Sequence, residues 1–376
     1  MGSRSRTRRR TPPLCGNKRI GKVHGIMADE KLSAPGRVDY FDYLRVFALL
    51  AVILHHTGAQ HWYDTDVNGA AWRCFNFFCG VTQWDVPVFV MISGALFLGR
   101  DIPMRRICSK YVLRMATAFC FWSAVYAAVG ALELGTSGLM TELIRGHYHL
   151  WFLFMISGLY LCQPLLRPIA ADEEKRRYFL LLSLVFAFCQ PQLDRLICHF
   201  GSETLRRRAD YVFFDLYDMN IHLVLGYPAY YLLGFHLNRT ELSRRQRGVI
   251  YVLGLLGAFL TVWLSRRVSL DTQNWYDAYF GHFNVTILFQ AIAVFTLFRY
   301  ARLKPNGFVR RLSKYSFGAY LCHPLFLEQA KALFGLSTLS FAPPLSVPVL
   351  AAGTAVLAFS FSAVLNRIPF VKKYFV

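Results

Sequence analysis

None of the nine cysteines stands in a Cys-x-x-C or mixed Cys/His ligand spacing, so the chain lacks a metal-binding signature and metal ligation is not expected. Cys74 and Cys79 share one segment between apolar runs and read as small apolar fillers, with a disulfide between them the alternative. Also missing are a Pro/Ser-rich linker, an alignable internal repeat and a polar stretch of domain size, which leaves a single domain. The basic RSRTRRR near the N-terminus has no apolar stretch of signal length behind it, so the first apolar run is expected to be an uncleaved anchor. A nucleic-acid face is excluded as well, because no soluble segment is long enough to fold a basic patch with base-stacking aromatics.

What is present is apolar surface. Hydrophobic residues make up 55% of the 376 and aromatics 16%, which no ordinary soluble domain needs. Long runs with few internal charges predict ten spans, at about 41–60, 82–99, 111–132, 150–166, 178–193, 219–237, 248–265, 283–299, 316–334 and 345–366. The expected fold class is therefore all-α: an integral membrane bundle of about ten transmembrane helices. The net charge of +20 is distributed as topology information, since 31 of the 42 Lys and Arg fall on one side of such a bundle, with the N-terminus. The positive-inside rule then puts both termini in the cytoplasm. The expected domains are a basic, disordered cytoplasmic leader over 1–38, in which Met27 is an alternative start, a membrane domain over 39–370, and a cytoplasmic tail over 371–376. The segments expected outside, at about 61–81, 133–149, 194–218 and 266–282, are longer than the inner ones and rich in Asp, Glu, Tyr, Trp and His, which puts an acceptor site at the outer face.

The first span carries costly polar residues: Asp42, Arg45 and the pair His55-His56. Arg45 and His56 are eleven residues apart, about 16 Å of helix rise, and return to within roughly 20° of one face. Ionisable groups at membrane depth normally face a protein cavity with a partner. His55 lies about 100° round the helix, and packing against a neighbouring span is expected of it.

Further motifs extend the pattern. DVPVFVMISGALFLGR (85–100), HYHLWFLFMISGLYLCQPLLR (147–167), GYPAYYLLGFHL (226–237) and YSFGAYLCHPLFLE (315–328) follow the D-Y-L-R of the first span in order. Together they resemble the acyltransferase 3 family, and in the H-L-W-F-L form they resemble inner-membrane O-acetyltransferases that modify surface polysaccharides such as enterobacterial common antigen. The resemblance runs from about residue 38 to 370. It implies an enzyme of the bacterial inner membrane that passes an acyl group, usually acetyl, from cytoplasmic acyl-coenzyme A to a hydroxyl of a glycan or lipid-linked sugar outside. Acyl-coenzyme A would be a co-substrate, with no bound cofactor, and the partners would be membrane lipids and polysaccharide biosynthesis proteins. The family's first-span Arg and His fall on Arg45 and His56. Its R-x-x-R element falls at SKYVLR, where Arg114 matches the second Arg and Tyr111 stands in place of the first.

Such a transfer needs a proton acceptor, for which neutral imidazole suits, and cations for the coenzyme A phosphates. His56 is the expected base, an acylated His56 nucleophile being the alternative. Asp85, at the same depth, is expected to orient the His56 imidazole; an acid stabilising its own helix N-terminus is an equal account. Arg45, Lys110 and Arg114 are the expected donor-binding residues, within a basic group that includes Arg100, Arg105 and Arg106. The alternatives are an Asp42–Arg45 structural pair and attraction to anionic lipid. His149 and Trp151 are expected to shape the acceptor pocket, or else to form an interfacial belt. His323, before Pro324, either joins that pocket or caps a carbonyl that the proline frees. Outside catalysis, the competing function is a polytopic transporter exporting a polysaccharide or small anion; the chain lacks the short, broken segments in matching halves that many transporters carry.

Overall fold

The computed structural model describes residues 39–134, 139–218 and 226–376. The expected leader, Met27 included, and the start of the sixth expected span lie outside the described residues. Within them the chain is helical, with no strand. In order come α1 (Tyr40–Ala59), α2 (Ala70–Thr82), α3 (Asp85–Phe97) and the single turn α4 (Met104–Arg106), which runs through a π-helical stretch into α5 (Leu113–Leu134). Then follow α6 (Leu139–Arg145), α7 (Trp151–Ala171), α8 (Glu173–Leu182), a second π-helical stretch, α9 (Gln190–Phe200) and α10 (Glu203–Asp218). The last six are α11 (Tyr227–Arg239), α12 (Arg244–Thr272), α13 (Val285–Tyr300), α14 (Gly307–Phe334), α15 (Pro343–Leu365) and α16 (Pro369–Tyr374).

Helix boundaries follow local chemistry. Asp172 separates α7 from α8, its side chain accepting from the Lys175 amide and meeting the Lys175 ammonium at 2.9 Å, which holds the carboxyl below its usual range. Ser243 and Gln246 close a reciprocal capping box at the start of α12, and Asn306 accepts from the amides of Phe308 and Val309 at the start of α14. Gly335 ends α14 in the left-handed region at φ 63°.

Among the described residues, seven helical stretches are long and apolar enough to cross a membrane: Ala70–Phe97, Met104–Leu132, Trp151–Ala171, Glu173–Phe200, Arg244–Thr272, Ala278–Tyr300 and Pro343–Leu365. The other three expected spans are α1, α11 and α14. Each is a helix, but α1 and α14 are diluted by charged residues and histidines, and α11 has only 13 residues. Three segments expected as loops are largely helical. α2 occupies 70–82, α9 and α10 cover most of 190–218, and α12 runs on to Thr272, so the helices extend beyond the apolar runs that announced them. The expected tail, 371–376, is packed against α5. Thr117 and the Trp122 indole of α5 donate to the carbonyls of Tyr374 and Phe375, and Phe375 stacks on Phe121.

α1 is the central element, packing against α2, α3, α13, α14 and α15. One apolar cluster joins it to α3, α11 and α13 through Leu44, Met91, Tyr231 and Phe295; another joins it to α5, α14 and α15 through Ile53, Trp122, Leu321 and Ala358. A helix buried on so many sides can carry polar residues without exposing them to lipid. α3 and α11 meet backbone to backbone, where a β-carbon at Gly94 would overlap the Tyr231 carbonyl and one at Gly234 that of Met91.

Candidate active site

Pro324 has no amide hydrogen, so the Tyr320 carbonyl four residues earlier in α14 loses its helical donor. His323 takes the place of that donor, its Nδ1 lying 2.6 Å from the Tyr320 oxygen. A carbonyl only accepts, so the proton is on Nδ1 and Nε2 of the neutral ring carries a lone pair. His56 Nδ1 lies 2.7 Å from that Nε2, with the ring planes 11° apart and the centroids 4.9 Å apart, an edge-to-edge, near-coplanar pair. The bond therefore runs from His56 Nδ1–H to His323 Nε2. One carbonyl thus sets two tautomers in series, and His56 Nε2 is left with the free lone pair.

A second chain of rings stands beside the first. His149 Nε2 lies 3.2 Å from the Leu321 carbonyl, His149 Nδ1 lies 3.0 Å from His147 Nδ1, and His147 Nε2 lies 3.2 Å from the Glu328 carboxylate. The same reasoning makes His147 Nδ1 the donor to His149. Tyr126 stacks on His147 with centroids 4.0 Å apart and donates to the same Leu321 carbonyl.

His56 lines a cavity of about 440 Å³, with His55, Asp85, His149 and Trp151. His323 is fully buried behind His56 and is not in the lining, so its place is beneath the cavity rather than in an acceptor pocket. Asp85 is in the wall but does not touch His56. Its Oδ1 accepts from the Val86 amide at 2.5 Å, the helix-terminal role, and the nitrogen it was expected to orient is held by His323 instead. His55 Nδ1 meets the Thr82 hydroxyl of α2 at 3.3 Å, a bond to a neighbouring helix. Four lining residues escape a sequence-level search: Trp62, Arg195, Asp277 and His282. His282 is the best defined of these, its Nδ1 2.8 Å from the Tyr227 hydroxyl and its ring stacked on Trp151. Its only signal in sequence is its position in an aromatic-rich connecting segment.

A second cavity, of about 330 Å³, opens towards the other end of α1. Arg45, Arg114 and Lys314 give it three cationic side chains, and Tyr111, Tyr160, Ser313 and Ser316 further polar groups, against a wall that includes Phe89, Ile92 and Leu96. Asp42 Oδ1 accepts from Ser313 Oγ at 2.7 Å and lies 3.8 Å from Arg45. Arg114 donates to the Val376 carbonyl at 2.5 Å and lies 5.0 Å from the Phe317 ring. Lys110 is not in this wall. It is exposed, over the Tyr111 ring, as are Arg105 and Arg106, and the third cation is Lys314 from α14. The two cavities have Val52, Val86 and Tyr320 in common.

The acyltransferase 3 family model, described as an acyltransferase domain, matches residues 38–363. The chain belongs to the acyltransferase 3 family. No curated protein and no solved structure matches it. With seven apolar helices of spanning length, this acyltransferase 3 chain is a multi-pass membrane acyltransferase. Its two cavities meet across one shared wall, with a neutral imidazole nitrogen on one side and three cations on the other.

Proposed function

We propose that the protein transfers a short acyl group, acetyl in the simplest case, from cytoplasmic acyl-coenzyme A to a hydroxyl of a glycan or lipid-linked sugar at the outer face of a bacterial inner membrane. The observation that carries this reading is the free lone pair on His56 Nε2, in a cavity that abuts a cationic one. The positive-inside distribution of Lys and Arg supports a cytoplasmic cationic end and two cytoplasmic termini. Phosphates of the donor are bound by Arg45, Arg114 and Lys314, and the arm bearing the thioester reaches along the apolar side of that cavity. The acceptor is held in the histidine cavity, where Trp151 and His282 offer stacked rings and Arg195 and Asp277 hydrogen-bonding groups.

His56 Nε2 removes the acceptor hydroxyl proton as the oxygen attacks the thioester carbonyl carbon. A carbon–oxygen bond forms, the carbon–sulfur bond breaks, and the proton passes to the departing thiolate. The products are the ester and the coenzyme A thiol. His323 accepts from Nδ1 throughout, so the charge that His56 gains is shared between two rings instead of being left on one buried imidazole. The wall shared by the cavities is where thioester and hydroxyl meet.

The test uses membranes containing the protein, labelled acetyl-coenzyme A and the surface glycan of the host. Label appearing in the glycan, dependent on the protein, is expected. Glycan export with no label incorporated contradicts acyl transfer and favours the transporter.

A further inference from the structure

Three side chains line both cavities, which adjoin there: Val52 on α1, Val86 on α3 and Tyr320 on α14. None of them offers a free hydrogen-bond donor. The two valines have no polar side-chain atom, Val52 is 2% exposed and Tyr320 8%. The Tyr320 hydroxyl is spent on the His149 carbonyl and its own carbonyl on His323 Nδ1, while its ring packs against Phe152. Tyr320 is thus hydrogen-bonded at both ends, and the side chains common to the two cavities make an apolar boundary, a collar of two valines and a tyrosine. Val52 is four residues before His56 on α1, one helical turn, so the collar lies directly below the base.

On the functional reading above, which this inference rests on, the acyl group is the leading end of the donor and must pass the collar before its carbonyl carbon can reach His56. An uncharged acyl group crosses a ring of two valines and a tyrosine face with little loss. A carboxylate at the tip would be stripped of water there with no cation or donor to replace it, and an ionised carboxylate in apolar surroundings is among the costliest groups to desolvate. The cations of the donor cavity would hold it back further, since they favour the carboxylate before the collar. We propose that the Val52–Val86–Tyr320 collar selects uncharged short acyl groups, acetyl and propionyl, and rejects dicarboxylic acyl groups such as succinyl. The collar, rather than either cavity, is the determinant of donor specificity.

The experiment compares labelled acetyl-, propionyl- and succinyl-coenzyme A as donors to the host glycan in membranes with the wild-type protein, then with Val86→Thr and Val52→Thr. Threonine has nearly the shape of valine and adds one hydroxyl to the collar. Wild type is expected to transfer acetyl and propionyl at least a hundredfold faster than succinyl, and either substitution to raise the succinyl-to-acetyl ratio at least tenfold. Succinyl transfer by wild type at a rate comparable to acetyl overturns the inference while leaving acyl transfer standing, as does a ratio unchanged in both variants. No transfer from any donor would overturn the functional reading itself. The wild-type donor series decides even where a variant fails to fold.

Discussion

His323 is the residue through which backbone geometry reaches His56, the proposed base. It accepts from His56 only because its other nitrogen is committed to the carbonyl that Pro324 leaves without a donor. His323→Ala removes both bonds, so His56 loses its tautomer and its in-plane orientation; kcat is expected to fall about a hundredfold, with little change in the KM for acyl-coenzyme A. His323→Gln keeps an acceptor near the lost Nε2 and should recover part of that loss. Steady-state kinetics of the two variants check this, and a loss confined to KM would contradict a positioning role. Sequence reasoning reached His56 and His323 separately, each from the cost of an ionisable group in an apolar helix, and named the capped carbonyl. It could not pair them, because spacing reports the face of one helix and the contact joins residues 267 apart. Asp85 shows the same limit. Depth placed it beside His56, but its carboxylate is used by the start of its own helix.

At the scale of elements, the break in α14 is what makes the site. Pro324→Ala would return an amide to the helix and let it compete with His323 for the Tyr320 carbonyl. Removing a proline from a helix interior is worth up to about 3 kcal/mol to the helix. Thermal unfolding in detergent is expected at the same or a higher temperature, and acyl transfer at a lower rate; a less stable protein with full activity would contradict the link between the break and the base. The apolar helices were readable because burial in lipid demands long runs without charge. α2 was not. It is 13 residues long and keeps Asn76 inside, where the side chain accepts from Trp62 and Ser265 and donates to the Val262 carbonyl of α12, so it carries no apolar run of spanning length. Lys314 was hidden for another reason: in sequence it is one more charge beside a span, and only the packing of α14 against α1 turns it into the cationic cavity.

Two cavities lie along α1, one at His56 and one at Arg45, and the proposed topology assigns them to opposite sides of the membrane. This predicts opposite exposures for the two ends. In a background without native cysteines, a thiol reagent that cannot cross the membrane should modify Asp64→Cys in spheroplasts with an intact inner membrane, and Arg310→Cys only after that membrane is permeabilised. The reverse pattern would invert the direction of transfer. The all-helical, multi-span class and the polar first helix are legible in the sequence, but the central place of that helix is not; nor is the boundary between the cavities, because Val52, Val86 and Tyr320 are ordinary in sequence and come together only when α1, α3 and α14 pack. On the proposed mechanism His56 Nε2 performs the proton transfer. Its most direct test is the rate at which His56→Ala passes labelled acetyl from acetyl-coenzyme A to the glycan, at matched protein levels in the membrane. A fall of about a hundredfold or more is predicted, with the donor still bound; transfer at the wild-type rate would contradict it.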